Sequence, residues 1–181
     1  LYILGSIADD IIKYRDRKGA TNFSLIKIFG SIALPDLKSE NTSDILKGRA
    51  MWCATQLSGL MTDKDPQCID IVTTSVLMLN KENHLSLRIC AWRSLVHFIN
   101  KVDIKQIEDL SNYVTSILEN VDDLLQLWNE ETIHIPVSAM KQLSKIDEEA
   151  VSKIAHESAP HLLKLFKYYH DQPLIGSDLL D

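Results

Sequence analysis

The sequence predicts an all-α fold in which helical hairpins stack side by side into an α-α superhelix, a right-handed solenoid. Three observations predict it. Apolar residues recur at steps of three and four along nearly the whole chain, the spacing of one helical face. No stretch alternates apolar and polar residues long enough to demand a strand. One helix-like segment also returns, changed but readable, about forty residues further on.

Leu4, Ile7, Ala8, Ile11 and Ile12 form a first amphipathic face, which ends near Asp16-Arg17-Lys18-Gly19. A second helix is expected over about 22 to 34, closed by Pro35. Ser43 is placed to cap a third, which runs to about Met61. Asp65-Pro66 opens a fourth, since proline is welcome in a first helical turn, and the pattern lasts to Asn80. Leu85, Ile89, Trp92, Leu95, Val96 and Ile99 define the fifth. Asp103 caps a sixth, long helix through Trp128, and a seventh covers about 131 to 145. Asp147, Glu148 and Glu149 put acids at the positive end of an eighth, which runs to about His170 with Pro160 as a kink or break. "PLIGSDLLD" at the end begins a ninth pattern, and residue 1 falls inside an apolar run. Both ends suggest a piece of a longer protein, with residues 1–181 forming a single array.

The repeat lies in the third and fifth helices. Arg49 and Arg88 are 39 residues apart, and Trp52 and Trp92 are 40 apart. That period suits one helical hairpin of the HEAT or armadillo size, and the chain has room for about four. An arginine amid apolar residues is costly unless something accepts its hydrogen bonds. At a seam between stacked helices, Arg49 and Arg88 would find an acid, with Asp44 or Glu82 nearest in sequence, or turn carbonyls. The plain alternative is a surface arginine lying along a helix edge. A third copy around Val137, Ala139, Met140 and Leu143 carries Ser138 in place of the arginine.

"ILKGRAMWCATQLSGLM" followed by "SLRICAWRSLVHF" resembles the importin-beta (karyopherin-beta) superfamily, in particular its importin nine-like branch. "LGSIADDII" and "LFKYYHDQP" are similar to the flanking stretches of the same branch, whereas 36–44 and 145–158 depart from it. The resemblance implies a HEAT-repeat nuclear transport receptor of the cytoplasm and nucleus. It implies protein cargo, control by the Ran GTPase through repeats nearer the N-terminus of the parent, and Phe-Gly nucleoporins as further partners. A scaffold subunit of a phosphatase or vesicle-coat complex is the alternative, since the fold suits it equally.

Charge supplies the candidate binding residues. The chain carries a net −6, yet the segment from Asp103 to Glu131 holds eight acids and only Lys105 as a base. A face around Glu119, Asp122, Asp123, Glu130 and Glu131 suits basic cargo such as histones or ribosomal proteins, unless it is simply a solvated helix surface. Nucleic acid is disfavoured, because phosphates need a basic face. No apolar stretch reaches bilayer-spanning length, so no membrane partner is expected.

No enzyme, cofactor or metal is expected either. The six histidines are scattered, and no HExxH, CxxC, P-loop, GxGxxG or GxSxG motif occurs. Cys53, Cys68 and Cys90 are an odd count on apolar patterns, the placing of buried thiols.

Overall fold

The computed structural model describes residues 2–8, 10–11, 13–14, 25–62 and 65–102, with ten further positions between 138 and 171. The chain divides into two compact units, Leu1–Asp103 and Ile104–Asp181. Among the described residues every regular element is helical.

The first unit begins with α1, Tyr2–Ser6, whose ladder is carried on by Ile7 N–H to Ile3 C=O and Ile11 N–H to Ile7 C=O. Its Gly5 is fully buried against α4. A Cβ there would lie 2.4 Å from Cζ3 of Trp52, so only glycine lets the two helices approach this closely.

Next come α2 (Leu25–Ile28), a π-helical turn (Phe29–Ala33) and α3 (Leu34–Lys38). The sequence expectation closed this segment at Pro35; in the structure it continues to Lys38. The π-turn is the physical reason. Leu34 N–H reaches five residues back to the Phe29 carbonyl, and the widened turn carries the chain past a residue that has no N–H and would crowd a straight helix. Pro35 thereby stands in the first turn of α3, where its missing donor costs nothing.

Helix α4 spans Asp44–Leu57 and continues as a 3₁₀ turn over Ser58–Leu60. Ser43 occupies the cap position, but its carbonyl, not its hydroxyl, takes the first bond, from Lys47 N–H. Helix α5 covers Gln67–Met78. Its entry is fixed by Asp65, whose Oδ2 accepts from Thr62 N–H at 2.7 Å and from Thr62 Oγ1 at 3.0 Å. Helix α6, Leu85–Phe98, is capped by His84 and ends in a 3₁₀ turn at Lys101.

The helices pack as two stacked hairpins, α3 with α4 and α5 with α6. Helix α6 lies alongside α4, α1 covers the other side of α4, and α3 meets α5. Helices α4 and α6 run side by side nearly in register. The buried positions of α4, Ala50, Met51, Cys53, Ala54 and Leu57, recur 41 residues later as Ala91, Trp92, Ser94, Leu95 and Phe98. Burying such large side chains as Trp92, Phe98, Met51 and Leu57 contributes about 1.5–3 kcal/mol each before chain entropy is set against it.

In the second unit the helical residues described are Ser138, Lys141, Ser152, His156, Ala159, Pro160, Leu163, Lys164 and Lys167. Those from Ser152 to Lys167 are all exposed. Pro160 is helical, as is Ala159 before it.

Candidate functional site

The two arginines singled out by the sequence occupy different environments. Arg88 is 4% exposed, in the first turn of α6. Its Nε donates to the Leu79 carbonyl at 3.1 Å, at the C-terminal end of α5. The last carbonyls of a helix lack intrahelical donors and carry the negative end of the helix dipole. A guanidinium placed there satisfies a buried acceptor and is itself stabilised by the field. A turn carbonyl of the hairpin to which Arg88 belongs is therefore one of its partners.

Arg49 is exposed on α4, with its guanidinium carbon 5.6 Å from the centroid of the Tyr2 ring. Tyr2 also stacks on Trp52, with centroids 5.7 Å apart and planes 15° from parallel. Arg49, Tyr2 and Trp52 thus form a surface cluster where α1 crosses α4, and the cation–π contact contributes about 0.5–1 kcal/mol at such an exposed place.

Sequence reasoning missed a second cation with the Arg88 role. Lys101, in the 3₁₀ turn after α6, donates from Nζ to Ser58 O at 2.8 Å and to Met61 O at 3.1 Å. Those carbonyls end α4 and its 3₁₀ extension. Arg88 thus caps α5 within its own hairpin, and Lys101 caps α4 of the neighbouring one. The available signal was a lysine directly after an apolar helix pattern, "HFINK", the usual place for a cation near helix-end carbonyls.

His84 was also missed as a helix start. Its Nδ1 accepts from Ser86 N–H at 3.3 Å and lies 2.8 Å from Ser86 Oγ, so the imidazole serves as a cap. His97 is exposed on α6. Its pKa is lowered by partial desolvation of the ring and then by the Lys101 ammonium.

Burial holds the Cys53 and Cys90 thiols toward their protonated form. It pushes Cys53 up to about 11 and raises Cys90, although Arg93 and Arg49 pull the latter back in part. Cys68 is buried and lies 3.4 Å from the Thr62 carbonyl. Among the described residues no group of three His, Cys, Asp or Glu is placed to hold a metal ion. No described helix is long and apolar enough to cross a membrane.

The acidic candidates Glu119, Asp122, Asp123, Glu130 and Glu131 lie outside the described residues, as does the rest of the segment expected to form the sixth helix and its turn. No protein-family model matches the chain.

Proposed function

We propose that the chain is a binding module of a nuclear transport receptor, with about four HEAT-type repeats forming a solenoid that carries basic protein cargo through the nuclear pore under Ran control. The acidic segment from Asp103 to Glu131, net −7 against +1 for all other residues, carries this reading. Such a field attracts Lys- and Arg-rich partners and repels nucleic acid. The stacked hairpins of the first unit support the solenoid part. Helices of one hairpin pack on their counterparts in the next, and cations close helix ends both within and between hairpins.

The test is binding of the full chain to a core histone by fluorescence anisotropy across a salt series. The expected result is micromolar or tighter binding that weakens steeply with salt. Changing Asp122, Asp123, Glu130 and Glu131 together to Asn and Gln should weaken it at least about tenfold, the scale of a lost set of steering charges. Equal binding by the neutralised variant would remove the acidic segment from the reading. Absence of binding by both would favour the scaffold alternative.

A further inference from the structure

The two hairpins meet along two seams built very differently. At the α4–α6 seam, α6 lies along α4 in register. The helices bury Met51, Leu57, Trp92, Leu95 and Phe98, and Lys101 fastens their C-terminal ends. At the α3–α5 seam the contacts are sparse. Helix α3 is the five-residue end of the continuous helical run from Leu25. Its Lys38 pairs with Asp70 of α5, but these side chains are 48% and 40% exposed, so water and salt screen the pair. Two turns before Lys38, Gly30 of the π-turn faces the Gln67 side chain, whose buried Oε1 has no hydrogen-bond partner among the described residues. An unpaired buried acceptor, a π-turn and a screened ion pair are features of a weakly fastened interface.

We infer that the stack carries a salt-sensitive hinge: the hairpins part at the α3–α5 seam while the α4–α6 seam holds as the axis. Once parted from α5, the run from Leu25 to Lys38 is of marginal length for a helix on its own, so each opening also frays its end. This inference does not depend on the proposed function. It concerns the spacing between neighbouring hairpins, whatever partner they meet.

Geometry offers a lock for each seam. A Cβ on Gly30 would lie 3.8 Å from Gln67 Cγ, and a Cβ on Gly48 would lie 3.6 Å from Cys90 Sγ. A Gly30→Cys, Gln67→Cys pair is therefore placed to bridge the π-turn before α3 to the first turn of α5, and Gly48→Cys to bridge α4 to the native Cys90 of α6, with modest adjustment. Hydrogen exchange by mass spectrometry on the full chain, oxidised against reduced, reads the result. The 30–67 bridge should slow exchange over 25–38 at least about fivefold, and the 48–90 bridge should change 44–57 and 85–98 by less than about twofold, because a seam that rarely opens gains little from a lock. The unmodified chain supplies an arm that needs no bridge. Raising salt from about 50 to 500 mM, or making Lys38→Glu, should speed exchange over 34–38 and leave 85–98 unchanged. Equal protection from both bridges, or a salt response spread evenly over all four helices, overturns the hinge.

Discussion

Helices α4 and α6 read as two copies of one pattern, yet the structure uses their N-terminal halves in opposite ways. In α6 that half is core: Leu87 is buried and Arg88 is drawn in with it to the end of α5. In α4 the corresponding turn faces outward, with Ile45 78% and Leu46 47% exposed. Arg49 there rests on a surface tyrosine. The same residue type at a similar place is a buried cap in one helix and a surface contact in the other. What separates them is register: aligned by buried positions, Arg88 matches Lys47, and Arg49 falls two residues further on, where its guanidinium meets Tyr2 of α1.

The tryptophans should separate the two helices most sharply. Trp92 is fully buried, whereas Trp52 is half-buried beneath Tyr2. Trp92→Ala is expected to cost about 3–5 kcal/mol, the range for deleting a large core ring. Trp52→Ala should cost about half as much. Urea unfolding of both variants checks the difference, and equal losses would mean that the surface cluster packs as tightly as the core.

The arginines come next. Arg88→Met keeps the apolar stem but leaves the Leu79 carbonyl buried without this donor, at a cost of about 1–3 kcal/mol. Arg49→Met removes an exposed cation–π contact and should cost less than about 1 kcal/mol. A paired thermal-melt measurement suffices, and a larger loss at Arg49 would break the contrast.

How much of this was legible follows the same line. Helix type and order in the first unit were readable, because apolar spacing reports which face is buried wherever a core forms. The repeat itself was readable, but its register was not. Matching residue identities gave 39 for the arginines and 40 for the tryptophans, a disagreement that already hinted they were not equivalent. Burial gives 41, which sets Trp92 against Met51 and Arg88 against Lys47. Identity misled because what recurs between the two helices is which positions are buried, while the residues that fill them differ in size, as Met51 and Trp92 or Ala54 and Leu95 do. The π-turn was invisible because Pro35 signals a helix end and equally a helix start. Arg88 was legible as an oddity, and turn carbonyls were among the acceptors expected for it, but that one of them is Leu79 was not, since a carbonyl acceptor leaves no mark in a sequence. Lys101 escaped notice for the same reason.

Gly48 marks a further asymmetry, a helix-interior glycine in α4 where α6 carries Ile89 on the burial register. A Cβ on Gly48 would meet only Cys90 Sγ at 3.6 Å and Leu87 Cδ1 at 4.0 Å, ordinary contact distances. Gly48→Ala should therefore stabilise the chain by about 0.5–1 kcal/mol through lower unfolded-state entropy. Destabilisation instead would show that α4 and α6 approach more closely than their packing requires.

The smallest effect tests the far end of the same pair. His97 on α6 has its pKa lowered by desolvation and then by Lys101, the residue that caps α4. Its folded pKa lies below the unfolded value near 6.5, so between those values the unfolded chain binds more protons. The sign follows: this contribution favours the folded state fully above about pH 7 and is lost as pH falls through the folded pKa. His97→Gln should flatten the fall in melting temperature between about pH 7 and 5 by a small margin, since the ring is exposed and screened. Lys101→Met removes one cause of the depression along with the cap, so it should raise the His97 pKa measured by NMR titration while lowering overall stability. An unshifted His97 in that variant would mean that the Lys101 ammonium is held at the α4 carbonyls without its charge reaching the imidazole.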